Sequence, residues 1–240
     1  MYQRVFEKGL EVAEKIRDTQ KESIEQGARM IASAFVEGKK FFVTGSGHSH
    51  TLTEEFYGRA GGLAFVVPIL TSELTITDHP TKSSYIERLG GYAGILGELY
   101  RIGSGDVVLI ASNSGRNAYP VELALYAKEQ GASVIAVTNL EHSRNSRSRA
   151  ACGKKLMDLA DVVIDNCGVL GDACLEVEGV AAAMMPTSSI SNAFIAQALS
   201  VQSAVYIREA GAEVPVFESL NADARINRND EYFEKYARMY

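Results

Sequence analysis

Five short apolar runs constrain the fold of this 240-residue chain more than any other feature. Runs of this length, bounded by glycine and polar residues, are typical of strands buried on both faces of a parallel sheet. Helical patterns separate most of them. This alternation predicts a doubly wound α/β fold around a five-stranded parallel sheet. The predicted strands are residues 40–44, 63–69, 106–111, 132–138 and 161–164.

Residues 2–37, before the first strand, predict one long helix. Apolar residues recur there at helical spacing with Glu, Lys and Gln between them, and Gly38 ends the pattern. A helix of about 36 residues would be roughly 54 Å long, more than the width of a small domain. Such a helix packs on another chain or bends around its own domain. We expect the first arrangement, and therefore a homodimer or homotetramer.

The remaining segments complete the predicted domain organisation. Residues 71–105 interrupt the strand–helix alternation, and long loops inside compact domains are often functional. We expect one domain over 1–240, with the helix at 1–37, an α/β core at 38–210 and a C-terminal extension at 211–240. Residues 139–149 predict a polar loop, and further helices are predicted over 92–100, 118–130, 187–208 and 230–240.

Charge and composition exclude several classes of protein. The net charge of −6 and the pI near 5.4 argue against a nucleic-acid binder, which normally has a basic patch. No apolar run approaches the roughly 20 residues that a membrane span requires, and the N-terminus lacks the apolar core of a signal peptide. Three cysteines without a CxxC pair fit a reducing compartment. We therefore expect a cytoplasmic protein.

The sequence DVVLIASNSGRN, residues 106–117, predicts an anion site. A buried strand leads into a loop of small hydroxyl residues, and a helix begins directly after it. Unpaired N–H groups of a first helical turn, together with the helix dipole, favour a bound anion. An ordinary polar turn is the alternative. The predicted ligands of a phosphate are Ser112, Asn113, Ser114 and Asn117, and Gly115 allows a close backbone approach.

Two other loops follow predicted strands and can converge on the same pocket. Ligands of doubly wound sheets bind at the carboxyl ends of the strands, near the switch in strand order. The loops at 45–49 and 166–189 both lie at such ends. Together with residues 112–117, they define the predicted binding region.

Three motifs in this order make the chain similar to the sugar isomerase (SIS) domain family. Ser112–Asn117 (SNSGRN) resembles that family's phosphate loop, Gly45–Ser49 (GSGHS) its first substrate loop, and Pro186–Ser189 (PTSS) its late helix start. The resemblance covers roughly 36–210 and implies a flavodoxin-like fold that binds sugar phosphates without a cofactor. The substrate-binding residues that it implies outside the phosphate loop are Ser46, Ser49, Thr187, Ser188 and Ser189.

The segment EEFYGR, residues 54–59, resembles a motif of the phosphoheptose isomerases within that family. The resemblance implies that Glu55 is a catalytic acid or base, and that the protein is an aldose–ketose isomerase acting through an enediol. Residues 187–208 contain no counterpart of the catalytic histidine of those enzymes. The alternatives are a phosphosugar lyase or etherase with two glutamates, and a non-catalytic phosphosugar sensor.

The histidines and a late glutamate complete the list of candidates. His48 and His50 form an HxH pattern that favours a substrate-facing or structural histidine over a metal ligand, because no third ligand is evident nearby. We expect no metal. His79 is a candidate ring-opening acid across a dimer interface, or part of a surface turn. The resemblance implies that a glutamate before the last core helix faces the sugar, and Glu178 is the candidate for that position. A cluster of arginines at 144–149 holds a second anion or is simply solvated.

Overall fold

The computed structural model describes residues 1–221 and 228–236. Its centre is a five-stranded parallel sheet with the strand order β2-β1-β3-β4-β5. All five predicted strands are confirmed, with ends that differ by at most three residues. The strands are β1 (Phe41–Gly45), β2 (Val66–Ile69), β3 (Val107–Ala111), β4 (Ser133–Thr138) and β5 (Val162–Asp165).

Alternate residues of the strands feed two apolar cores, one on each face of the sheet. In β3, Val107 and Leu109 contribute to the first core, whereas Val108 and Ile110 contribute to the second. This follows from the period of two along a strand. The first core is covered by α1 (Tyr2–Thr19), α2 (Lys21–Val36), α3 (His50–Phe56) and α8 (Thr187–Glu209). The second is covered by α4 (Lys82–Ile86), α5 (Tyr92–Leu99) and α6 (Ala118–Glu129).

The predicted single helix over 2–37 is wrong in one respect, because Gln20 divides it into α1 and α2. The side-chain oxygen of Gln20 accepts a hydrogen bond of 2.9 Å from the N–H of Asp165, at the end of β5. This tertiary contact stabilises the break and allows the two helices to follow the domain. The N-terminal segment therefore bends around its own core. Even so, Tyr2 and Phe6 of α1 remain 72% and 68% exposed.

Some short elements were not predicted. The expected polar loop at 139–149 begins with the helix α7 (Leu140–Arg144), and residues 166–189 contain an antiparallel hairpin of β6 (Ala173–Leu175) and β7 (Met184–Pro186). Elements this short carry no detectable periodicity.

The chain ends with α9 (Asn229–Tyr236), where a helix over 230–240 was predicted. Residues 237–240 of that prediction lie outside the described part. No helix in the described part is both long and apolar enough to cross a membrane.

Candidate functional site

The strand order reverses between β1 and β3. These two strands are neighbours in the sheet, although β2 lies between them in sequence. The loops that follow these two strands therefore lie side by side at the carboxyl edge of the sheet. Gly45 ends β1 directly beside Ala111, which ends β3. A Cβ atom on Gly45 would overlap the backbone carbonyl of Ser49, so the tight turn after β1 requires glycine. This switch point is the position where doubly wound sheets bind ligands.

The loop after β3 presents a group of unpaired backbone donors. Gly115 has a φ of +59° and turns the chain so that successive N–H groups converge. In residues 1–221 and 228–236, the N–H groups of Ser114, Arg116, Asn117 and Ala118 have no hydrogen-bond acceptor, and neither has the hydroxyl of Ser114. We call these four N–H groups and this hydroxyl the nest. Such a concavity of donors at the start of a helix suits an anion.

Two of the predicted phosphate ligands instead support the loop. Ser112 Oγ accepts a hydrogen bond of 3.2 Å from the N–H of Gly115. The side-chain oxygen of Asn113 accepts one of 2.8 Å from Asn166, whose own oxygen accepts from Asn139. These contacts support the shape of the nest. Of the two serines among the four predicted residues, Ser114 is the one whose hydroxyl makes no hydrogen bond within 1–221 and 228–236.

Glu87 is the residue that the sequence analysis missed. Its Oε2 accepts a hydrogen bond of 2.5 Å from the hydroxyl of Ser46, in the loop after β1. Its Oε1 accepts one of 2.7 Å from the amide of Asn117, in the loop after β3. Its backbone oxygen also accepts from the N–H of Tyr119, at 2.9 Å. Glu87 therefore joins both loops at the switch point.

Burial raises the pKa of the Glu87 carboxyl, against the lowering effects of the Ser46 hydrogen bond and of Arg88, Arg149 and Arg116. A partly buried carboxyl with a raised pKa is suited to proton transfer. The signal in the sequence was indirect. Residues 71–105 were singled out as an insertion, but no motif distinguished Glu87 within it.

The family can now be assigned. A profile of the SIS domain matches residues 5–139, more than half of the chain. The chain belongs to the SIS domain family. A UPF0309 protein of Halalkalibacterium halodurans is 41% identical over 227 residues, which cover 95% of this chain and 94% of the relative. A UPF0309 protein of Caldanaerobacter subterraneus is 41% identical over 226 residues, which cover 93% and 92%.

Solved structures share this SIS fold at low sequence identity. The phosphoheptose isomerase of Neisseria gonorrhoeae is 16% identical, with a TM-score of 0.53 over 84% of this chain and 94% of that one. The phosphoheptose isomerase of Francisella tularensis is 17% identical, with a TM-score of 0.55 over 84% and 95%. The similarity confirms the flavodoxin-like arrangement expected from the motifs.

Glu55, the glutamate of the motif at 54–59, lies on α3 and contacts α8. Its carboxylate forms an ion pair with Arg59 and accepts a hydrogen bond of 3.0 Å from the side-chain amide of Gln197. Glu54 is exposed and lies 3.3 Å from Nε2 of His50. Glu55 is therefore the half-buried one of the two glutamates. Its described partners are Arg59, just after α3, and Gln197 of α8, and neither belongs to the nest.

The HxH pair does not converge on one point. His50 is buried and its Nδ1 contacts the carbonyl of Gly47, whereas His48 is exposed. Ser49, between them, is half-buried. Across the described residues, no three His, Cys, Asp or Glu side chains are grouped so that they could hold a metal ion.

Two of the predicted substrate-binding residues at the start of α8, Thr187 and Ser188, already form hydrogen bonds with Asp172. The Asp172 carboxylate accepts hydrogen bonds from the Ser188 N–H at 2.8 Å and from the Ser188 hydroxyl at 2.7 Å. Thr187 Oγ1 lies 3.2 Å from the same carboxylate and is almost fully buried. Ser189 is exposed and has Phe194 on the same surface. An internal carboxylate thus fills the helix start that was expected to bind the substrate.

His79 and Glu178 lie apart from the nest contacts. His79 is exposed, and its Nδ1 accepts a hydrogen bond of 3.3 Å from the N–H of Thr81. Glu178 is exposed on the β6–β7 hairpin and lines a pocket with Met1 and Arg4 of the N-terminal segment. Neither has a contact with Ser46, Glu87 or the nest in the structure described here.

Proposed function

We propose that this SIS protein binds sugar phosphates at the switch point and interconverts aldose and ketose forms. The observation that carries the proposal is the position of Glu87, a carboxyl with a raised pKa that bridges the loops after β1 and β3. The names of the phosphoheptose isomerases with the same fold support the reaction class. We further propose that the protein is cytoplasmic.

The phosphate group is placed in the nest. A sugar phosphate carries nearly two negative charges near neutral pH, and charge-assisted hydrogen bonds contribute roughly 1.5–3 kcal/mol each. The four free N–H groups and the Ser114 hydroxyl provide enough donors for the three phosphate oxygens. The sugar then extends toward Ser46 and Glu87, because these residues lie beside the nest across the switch point.

Glu87 is the proposed base. In the open-chain aldose its carboxylate removes the proton from C2, and the electrons of that C–H bond form the C1–C2 double bond of the enediol. The carbonyl oxygen at C1 takes up a proton. The 2-hydroxyl then loses its proton as C2 becomes the carbonyl, and Glu87 returns its proton to C1. One group transfers the proton between neighbouring carbons, so atoms and charge balance.

Glu55 stays as the alternative base, as the resemblance implies. Its carboxylate is already paired with Arg59 and Gln197, and substrate binding would have to rearrange these contacts. Both carboxylate oxygens of Glu87 are also hydrogen-bonded, but their partners, Ser46 and Asn117, belong to the two loops at the switch point and hold Glu87 beside the nest. The two assignments differ in which variant loses proton transfer, so one experiment separates them.

The test is deuterium incorporation from solvent into C1 or C2 of a panel of aldose phosphates. We expect Glu87→Gln to lower kcat by about 10²- to 10⁴-fold, the usual contribution of a general base, with little change in affinity. Glu55→Gln tests the alternative, and Glu129→Gln, on the exposed end of α6, is the matched control. Binding without exchange in the wild type would favour a sensor, and release of a substituent would favour a lyase.

We also propose a homodimer or homotetramer. The outer face of α1 exposes Tyr2, Phe6 and Leu10, and α8 exposes Phe194 and Val201. Contiguous apolar faces of this size are typical of protein–protein contacts. The absence of charged residues between Thr187 and Ile207 supports coverage of α8 by another subunit.

A further inference from the structure

Three arginines from three separate segments surround the carboxyl of Glu87. Arg88 follows α4, Arg116 belongs to the loop after β3, and Arg149 lies in the segment after α7. Burial raises the pKa of the Glu87 carboxyl, and the positive charges of all three arginines oppose that rise in part. We call Arg88, Arg116 and Arg149 the arginine cluster.

The arginine cluster forms no ion pair in the part of the chain that the structure describes. Glu87 is the carboxylate near all three side chains, yet none of the three forms a salt bridge with it or with another carboxylate in the described ranges 1–221 and 228–236. Three positive charges thus lie near one another beside the switch point. A bound anion would reduce their mutual repulsion.

Arg149 connects the cluster to the nest. Its backbone N–H donates to the carbonyl of Arg116 at 2.8 Å, and its Nη1 donates to the side-chain oxygen of Asn117 at 3.2 Å. The side-chain amide of Asn117 therefore forms two hydrogen bonds: its oxygen accepts from Arg149, and its nitrogen donates to Glu87. The Asn117 side chain thus lies between Arg149 and Glu87, while its backbone N–H belongs to the nest.

The charges match a particular ligand. With Glu87 ionised, three guanidinium groups and one carboxylate leave two positive charges. A phosphate monoester near neutral pH carries close to two negative charges, whereas a sulfate monoester of the same shape carries one. The nest alone distinguishes these groups poorly, because neutral N–H donors fit either set of oxygens.

We propose that the arginine cluster binds the same phosphate as the nest and makes the site selective for a dianionic phosphate over a monoanionic group of equal shape. The inference rests on the proposed function, because it assumes that the nest receives the phosphate. It adds Arg88 and Arg149, which lie outside the three motifs, to the substrate site, and it gives a role to Arg116 within the phosphate loop. Arg149 is the central member, because it alone touches the nest loop from another segment.

The experiment compares the binding of methyl phosphate and methyl sulfate, which removes any dependence on the identity of the sugar. We expect the wild-type protein to bind methyl phosphate at least tenfold more tightly. Arg149→Gln and Arg88→Gln should each reduce this preference to about threefold or less, whereas Arg149→Lys should retain most of it. Arg147→Gln is the matched control, since Arg147 is an exposed residue of the same segment with no contact to Asn117.

The outcomes separate the inference from the proposed function. If wild-type protein does not bind methyl phosphate, the proposed function is wrong. If Ser114→Ala weakens methyl phosphate binding but Arg149→Gln and Arg88→Gln keep the full preference, the phosphate binds in the nest and the arginine cluster takes no part. Equal binding of both ligands by wild-type protein would also overturn the inference. Because Arg149 and Arg88 are exposed, unchanged melting temperatures should show that the variants fold.

Discussion

The hydroxyl of Ser46 donates a 2.5 Å hydrogen bond to Oε2 of Glu87, which joins the turn after β1 to the insertion at 71–105. The other oxygen of the same carboxylate accepts from Asn117. One side chain from outside both loops therefore sets the distance between them. Because both carboxylate oxygens are used, a change at Glu87 affects the loop geometry as well as any proton transfer. The conservative variant Glu87→Gln, which can still accept from Ser46, is the informative one.

Removal of the free hydroxyl in the nest should weaken phosphate binding. Ser114→Ala should lower the affinity for sugar phosphates about tenfold, which corresponds to about 1.4 kcal/mol for one hydrogen bond to a charged group. Isothermal titration provides the measurement. Ser104→Ala is the control, because Ser104 is exposed just before β3, at the opposite edge of the sheet. Equal binding of glucose and glucose 6-phosphate by the wild type would contradict an anion site.

A side chain at position 115 should distort the loop that forms the nest. A Cβ atom there would lie 3.2 Å from Thr138 Oγ1 and 3.3 Å from Leu156 Cβ, and the φ of +59° disfavours any L side chain. Gly115→Ala should therefore cost about 1–2 kcal/mol from the backbone conformation alone, with a further loss from crowding. Gly153→Ala is the matched control, because Gly153 has a φ of +70° and open space around it.

The two glycine variants differ only in packing, so their melting temperatures can be compared directly. We expect Gly115→Ala to be the less stable, and to lose phosphate binding at temperatures where it is still folded. If both variants lose the same stability and both bind phosphate normally, the loop after β3 does not depend on this close approach.

The raised pKa of Glu87 predicts a dependence of stability on pH. Burial raises this pKa in the folded state, so between the ordinary value and the raised value the folded protein binds more protons than the unfolded chain. The free energy of unfolding therefore falls as pH rises through that window. Glu87→Gln removes the titrating group, and the wild type should lose stability relative to this variant as pH rises above the ordinary glutamate pKa of about 4.3. Urea unfolding at several pH values measures the difference.

The Glu87 carboxyl also predicts how kcat/KM depends on pH on the acidic side of the profile. If Glu87 is the base, kcat/KM should fall with decreasing pH around an apparent pKa above that of an ordinary glutamate. Glu55→Gln should leave this limb in place. A limb that survives in Glu87→Gln and disappears in Glu55→Gln would assign the base to α3 instead.

The exposed apolar faces predict self-association. Light scattering at micromolar concentration should give a mass of at least twice the 26.0 kDa of the chain. Phe6→Asp should shift the mass toward the monomer, because Phe6 is 68% exposed on the outer face of α1. Glu7→Asp, a neighbouring change that leaves the apolar face intact, should not. A monomeric wild-type protein at these concentrations would rule out the oligomer.

The sequence alone determined the strands, most of the long helices and the phosphate loop. These features depend on local patterns: a buried strand needs a short apolar run, as in Val107–Ala111, and a close backbone turn needs glycine, as at Gly115. The order SNSGRN after such a strand was sufficient to predict an anion site at residues 112–117. Three motifs in the sequence also predicted the resemblance to the SIS domain family, which the profile match over residues 5–139 confirms.

Tertiary structure decided the rest, because it depends on residues that are distant in sequence. The contact between Gln20 and Asp165 breaks the N-terminal helix, and no local pattern encodes it. Asp172 reaches Ser188 and occupies the start of α8, although the sequence there reads as a ligand site. Glu87 has no motif of its own and gains its position only when the sheet places β1 beside β3. Local periodicity sets the elements, whereas long-range hydrogen bonds and burial select the carboxylate that lies at the site.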